Sequence, residues 1–358
     1  MKLGIAGRAK SGKTTLFNTV TGQNADMNLY DSKSEPNIGV VQVPDERINH
    51  LTDIYKPKKT VYATIEFLDF PPMIAEADPN ESLSPTAITL LKNTDALAIV
   101  IRNFDNSILD ETVGKKNPIK DLNDIITDFI YSDIVIIEKR LEKIELNFKR
   151  GVKTAETLLE EATLKKCLAT LQNETLLRNL ILSEDELKAI KSFHFLSLKY
   201  FMIILNSDEN NFGTNETIIS EMSKIAPVTE FAGKFELELS LLPEDEAIAF
   251  MEDFNLKEKA TERIIQSSYD LLGYISFFTV GDDEVRAWTV QKGDTALTAA
   301  GKIHTDLAKG FIRAETFTYN DIMTLKTEKN IREKGLFRLE GKTYQVKDGD
   351  IICIRFNQ

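Results

Sequence analysis

Apolar positions at Leu3, Ile5 and Ala6 open the chain's pattern, and residues 2–6 (KLGIA) read as a short buried strand. Apolar positions at Leu16, Phe17 and Val20 then predict a helix over 13–21. The polar stretch 23–37 reads as a long loop. Further strands are expected at 39–43, 61–68 and 96–102, with helices at 45–55 and 86–93 between them. This alternation argues for an α/β fold with a mostly parallel sheet covered on both faces.

The pattern changes near residue 120. Ile134, Ile137, Leu141, Ile144 and Phe148 recur at heptad spacing, and Asp133 is placed to cap the start of that helix. Leu158, Leu159, Ala162, Leu168 and Leu171 continue on a second helix, with Gly151 as the break. Residues 121–197 read as a helical hairpin or coiled coil inserted into the α/β domain, or else as helices that cover the sheet. The sheet pattern returns at 201–205 and 225–231, followed by helices at 244–254 and 258–272. After Gly273 the texture is β-rich, with strands expected at 275–280, 284–290, 311–317, 343–346 and 351–356 and turns at Gly281-Asp282 and Asp348-Gly349. Four segments follow: 1–120 and 198–273 as one α/β domain, 121–197 as its helical insertion, and 274–358 as a small α+β domain.

Charge narrows the function classes. Over 358 residues the formal net charge is −12, which argues against a chain that coats DNA by bulk charge. The two cysteines, Cys167 and Cys353, fit no metal-binding spacing and suit a reducing compartment. No stretch approaches the roughly 20 apolar residues needed to span a bilayer. The opening MKLGIAG runs straight into a motif where a secretory signal would place its apolar core. The expectation is a cytoplasmic protein with no membrane partner.

That motif is Gly7-Arg8-Ala9-Lys10-Ser11-Gly12-Lys13-Thr14, a full match to GxxxxGK[ST] between an expected strand and an expected helix. Glycines let the backbone wrap a phosphate, and the loop amides and helix N-terminus face the anion. Lys13 would reach the β- and γ-phosphates, and the Thr14 hydroxyl would ligate Mg²⁺.

A base site is expected after the buried strand 201–205, which ends in Asn206-Ser207-Asp208-Glu209. Guanine-specific proteins usually present Asn-Lys-x-Asp there. Glu209 is one methylene longer than Asp, so its carboxylate need not sit where the two guanine donors want it. Adenine lacks one of those donors, and a site not built around them loses its means of rejecting adenine. This favours ATP over GTP.

These residues resemble the YchF-type Obg-like ATPases, a branch of the P-loop GTPase superfamily, nearly end to end. The likeness includes Glu35-Pro36-Asn37-Ile38-Gly39-Val40-Val41 and Pro44-Asp45, and is closest at 284–289, 300–306, 309–314 and 346–350. It implies a P-loop G domain, an inserted coiled-coil domain and a C-terminal TGS domain. It also implies ATP binding and hydrolysis, and association with ribosomes. Carried over by position, Lys10, Ser11, Gly12, Lys13, Thr14 and Thr15 would hold phosphate, and Thr14 and Asp69 would hold Mg²⁺. Asn206, Ser207 and Glu209 would meet the base, with Phe231, Ala232 and Gly233 as a second base-contacting loop.

The departures fall in the catalytic machinery. Where relatives carry a Mg²⁺-ligating threonine this chain has Lys33, between Ser32 and Ser34. An ammonium cannot ligate Mg²⁺, though it can pair with a phosphate oxygen. The relatives' Asp-x-x-Gly reads Asp69-Phe70-Pro71-Pro72, and Pro72 has no N–H for the γ-phosphate. Four loop glycines fall on Glu76, Asn80, Ser82 and Ser84. Met73, apolar as in the family, cannot orient water. Losing one preorganised donor typically costs about 3–4 kcal/mol of barrier. The expectation is nucleotide binding with hydrolysis slow, absent or dependent on a partner. The alternatives are a GTPase completed by a partner and a scaffold whose nucleotide only holds the domains together. His304 reads either as part of a partner-binding surface, for example toward ribosomal RNA, or as a partly buried histidine at a turn. Trp288 reads as core packing.

Overall fold

The computed structural model describes residues 1–25, 36–70, 85–253, 256 and 258–357. Lys33 with its flanking serines, Pro71, Pro72, Met73 and the four former glycine positions 76, 80, 82 and 84 lie outside the described residues.

The chain begins β1 (Lys2–Ala6), α1 (Lys13–Thr21), β2 (Asn37–Gln42), α2 (Glu46–Tyr55), β3 (Lys59–Val61), β4 (Thr64–Asp69), α3 (Pro85–Lys92) and β5 (Ala96–Asn103). It continues through α4 (Ser107–Val113), α5 (Pro118–Lys149), α6 (Ala155–Gln172), α7 (Glu184–Ile190), β6 (Tyr200–Ser207), α8 (Glu216–Met222), β7 (Val228–Phe231), α9 (Gly233–Ser240), α10 (Glu244–Asp253) and α11 (Ala260–Leu272). The last part holds β8 (Tyr274–Thr279), β9 (Glu284–Gln291), α12 (Ala296–Ile303), α13 (Thr305–Lys309), β10 (Phe311–Thr318), α14 (Tyr319–Leu325), α15 (Glu328–Glu333), β11 (Arg338–Glu340) and β12 (Asp350–Phe356). Two compact units result, residues 1–39 with 66–264, and residues 40–65 with 265–358.

In the first unit the sheet order is β2-β4-β1-β5-β6-β7. β1 pairs in parallel with β4 and β5, β5 with β6, and β6 with β7. All eight residues of β5 are buried, which is why it reads as a continuous apolar run. The first third of α5 covers this sheet through Leu122, Ile125 and Phe129. Its remainder pairs with α6, where Ile137 and Ile144 pack with Leu164, Cys167 and Leu171. Each of the two readings of the helical segment thus describes one part of α5.

Two local expectations are corrected. Asp133 does not cap the start of α5. Asn117 does, its side chain accepting from Lys120 N, and Pro118 follows at the first helical position, where its missing N–H costs nothing. Asp133 is buried within α5, and its carboxylate accepts from Leu196 N (3.0 Å), Ser197 N (2.8 Å) and Ser197 Oγ (2.6 Å). It caps the first turn of a different, short helix at Leu196–Leu198. On α6 the packed face is Thr163, Leu164, Cys167 and Leu171, whereas Leu158 and Leu159 are exposed. A window with leucines on several faces has no single amphipathic phase, so partner contact decided which face is buried.

In the second unit the sheet order is β11-β10-β12-β8-β9-β3. The single strand expected over 61–68 is two strands in two sheets: β3 pairs in parallel with β9, while β4 pairs with β1. Residues 343–346 contribute only an isolated bridge, Thr295 with Gln345, instead of a strand. Arg47 explains why 40–65 belongs with the C-terminal segment. Its guanidinium binds Asp45 (2.8 and 2.9 Å) and Asp348 (2.6 Å) and lies over the Phe278 ring. Trp288 stacks on Phe277, and the Arg286 guanidinium lies 4.2 Å from the Trp288 ring centroid. His304 is exposed, not partly buried, and its Nδ1 accepts from Asp306 N to cap α13.

Candidate functional site

The expected site residues come from distant parts of the sequence but share one edge of the first sheet. The phosphate loop follows β1, Asp69 ends β4, Asn206 and Ser207 end β6, and Phe231 ends β7, all at the carboxyl ends of parallel strands. The loop needs its glycines. Gly7 has φ +152, and a Cβ there would stand 2.5 Å from Val100 O and 2.9 Å from Ser11 Oγ. Gly12 has φ +100, and a Cβ there would overlap Asn206 Nδ2. Lys10 itself takes a left-handed φ of 59, turning the loop at an exposed position.

Within the loop, Lys13 is buried and its ammonium donates to Arg8 O at 2.9 Å. Burial pushes Lys13 down to about 8, against the pull of Asp69. Ser11 is 2 % exposed and its Oγ has no hydrogen-bond partner among the described residues. Thr14 Oγ1 donates to Asp69 Oδ2 at 2.9 Å, and Asn37 Nδ2 lies 3.4 Å from the same oxygen. Thr15 is half-buried at the first turn of α1.

A buried ammonium, a buried hydroxyl with no partner among the described residues and glycines that admit no Cβ fit a polyanion held by main-chain amides. The Thr14 hydroxyl and Asp69 carboxylate are hard oxygen donors side by side, the donor set Mg²⁺ takes alongside phosphate oxygens.

Asn206 works as a clamp. Its Nδ2 donates to Ser11 O (2.9 Å) and its Oδ1 accepts from Gly233 N (3.1 Å), so it ties the phosphate loop to the loop after β7. A Cβ on Gly233 would stand 2.5 Å from Asn206 Oδ1, which explains the glycine. Ser207 is buried, donates to Glu230 Oε1 (2.8 Å) and accepts from Asn103 Nδ2 (3.0 Å). Glu209 is exposed, and Phe231 and Ala232 are buried beside the clamp.

Sequence reasoning missed the partners of these groups. Glu230 holds Ser207, Asn215 and Gly213 N together. The buried Glu236 accepts from Ala232 N and pairs with Arg263 at 2.8 Å. Arg8 reaches Asp124 at 2.5 Å. The available signal was a charged residue inside an apolar window, which marks a partner without naming it. A cavity of about 360 Å³, lined by residues including Asp95, Lys191, His194, Lys199 and Tyr200, lies at the opposite, amino-terminal ends of β5 and β6. It contains none of the expected site residues.

Comparison with known proteins shows the family. A family model described as YchF-GTPase_C, a protein of unknown function (DUF933), matches residues 274–357. The chain is 39% identical over 364 residues to a protein of Escherichia coli O157:H7 named "Ribosome-binding ATPase YchF", covering 99% of each. It is 35% identical to the Bacillus subtilis (strain 168) protein of the same name, covering 99% of this chain and 98% of that one. A solved structure titled "Structure of the Schizosaccharomyces pombe YchF GTPase" superposes with a TM-score of 0.85 at 31% identity, over 99% of this chain and 97% of that one. With relatives this similar over nearly their whole length, the chain belongs to the YchF family of Obg-like P-loop proteins.

Proposed function

We propose that the chain is an Mg²⁺-dependent purine-nucleotide-binding protein, with ATP favoured over GTP, that hydrolyses slowly and acts in association with ribosomes in the cytoplasm. The observation that carries this reading is the phosphate loop itself, with buried Lys13, and Ser11 Oγ unpartnered among the described residues, beside the Thr14–Asp69 pair. The bacterial relatives' printed names, ribosome-binding ATPase, support the ATPase activity and the ribosomal partner. In this reading residues 10–15 grip the phosphates, and Thr14 and Asp69 hold Mg²⁺. The bound ion would neutralise charge on the phosphate oxygens. Asn206 fixes the loops that flank the base, with Ser207, Glu209, Phe231, Ala232 and Gly233 around it. Pro72 cannot donate to the γ-phosphate, and Lys33 and Met73 supply neither a metal ligand nor a water-orienting group.

The yeast relative is titled a GTPase, so both nucleotides belong in the test. Labelled ATP and GTP are titrated in parallel with Mg²⁺, against Lys13→Ala. The expected result is tighter binding of ATP and loss of most triphosphate affinity in the variant. Unchanged binding in Lys13→Ala would remove the phosphate assignment, and a hundredfold preference for GTP would remove the adenine reading.

A further inference from the structure

We propose that Glu230 is a positioning residue for the base: it fixes the loop after β6 against the loop after β7, so that binding of the purine depends on it and the grip on phosphate does not. The inference rests on the nucleotide reading above and deepens it. Strand geometry sets the division of labour. Successive side chains of a strand point to opposite faces. Asn206 turns one way, to Ser11 O and Gly233 N, and Ser207 turns the other. In the parallel register Leu205 stands beside Glu230 and Asn206 beside Phe231. Ser207, two residues beyond Leu205, therefore shares a face with Glu230, and its hydroxyl donates to Glu230 Oε1 at 2.8 Å.

The same carboxylate gathers the far end of the loop. Asn215 Nδ2 donates to its Oε1 at 2.5 Å, and Gly213 N donates to its Oε2 at 3.0 Å. Residues 208–215 join β6 to α8, so both ends of this connection close on one side chain. A half-buried carboxylate is costly without donors, and three meet it here. Ser207 spends its single hydroxyl proton on Glu230 and accepts from Asn103 Nδ2 at 3.0 Å. Its hydroxyl has no proton left to donate to a base, so the residue serves recognition by holding the loop. A second tie runs through Arg263, which donates to Glu230 O at 3.3 Å and to Glu236 at 2.8 Å. Phe212 of the same loop packs on the cluster of Ala232, Phe235 and Leu239. Glu230 also directly precedes Phe231-Ala232-Gly233, so it anchors the first base loop where the second begins. Truncating it takes the acceptor from the buried Ser207 hydroxyl and releases Gly213 N and Asn215. The phosphate loop keeps its own tie, through Asn206.

Calorimetric titration of the full chain with ATP and with inorganic tripolyphosphate, both with Mg²⁺, separates base from phosphate, because tripolyphosphate keeps the polyanion and lacks the purine. The wild type should bind ATP more tightly than tripolyphosphate. Glu230→Ala should weaken ATP by about tenfold or more and leave tripolyphosphate within about twofold. Glu230→Gln keeps an acceptor for Ser207 but turns an amide NH₂ toward Gly213 N–H, so its ATP affinity should fall between the two. If the alanine variant does not fold, the glutamine variant carries the comparison alone. A folded variant in which both affinities fall together, or neither falls, overturns the positioning role and leaves the nucleotide reading standing. A wild type that gains nothing from the purine overturns the base reading, and one that binds neither ligand overturns the nucleotide reading; the role of Glu230 is lost with either.

Discussion

Gly12 shows how one residue can be required twice. Its φ of +100 disfavours any side chain, and a Cβ would drive Asn206 off Ser11 O. Gly12→Ala should therefore loosen both the phosphate loop and the loop at Gly233. Nucleotide affinity should fall by more than about tenfold and stability by about 1–3 kcal/mol. A variant that binds and melts like the wild type would contradict the clamp. Asp133 gives a pH signature. Burial, opposed by its three hydrogen bonds, pushes it up to about 6 from 3.8. The native state then holds a proton that the unfolded chain releases. Its contribution is complete below about pH 4 and is lost as pH rises through about 6. The stability difference between wild type and Asp133→Asn, followed by denaturant titration, should thus shift against the wild type across that window. A flat difference would show that its value is unshifted. The phosphate motif was legible at this scale because every member of it lies within eight consecutive positions. The partners of Arg8 and Ser207 were not, because they lie 116 and 23 residues away and nothing in their identity encodes the pairing.

At the scale of elements, the helical hairpin separates residues that look alike in sequence. Ile137 is 0% exposed between α5 and α6, while Leu158 is 41% exposed on the outer face of α6. Ile137→Ala should cost about 2–5 kcal/mol through the lost methylenes and the cavity left behind. Leu158→Ala should stay within about 0.5 kcal/mol. Chemical denaturation of both variants checks the assignment, and equal losses would mean the packed face is misplaced. Element types were readable wherever period and length agreed, as for β1, α1 and β5. The strand expected over 61–68 was misread because an apolar run carries no mark of where a chain changes sheets. Residues 59–61 and 64–69 pair with partners in different parts of the sequence.

For the whole molecule, nucleotide turnover is the quantity that the altered switch sequence bears on. Without an N–H at position 72, intrinsic hydrolysis should run below about 1 per second, the ordinary floor for enzymes. Adding ribosomes should raise it if they complete the site. A steady-state phosphate-release assay with and without ribosomes decides the matter. Fast turnover by the purified chain would sink the slow-hydrolysis reading, and silence under both conditions would favour a nucleotide-stabilised scaffold.

By itself the sequence determined the local pattern: a glycine-framed loop between strand and helix that matches the phosphate-loop motif, and the period of each long element. These are short-range properties, set by backbone sterics and by side-chain spacing along one segment. Only the tertiary structure decided that residues 40–65 cluster with 265–358, that Asp133 caps a turn 63 residues away, and that Asn206 clamps two loops. Those outcomes depend on which buried polar group meets which partner. Each burial is favourable only once the partner is in place, and that requirement is settled by the fold as a whole.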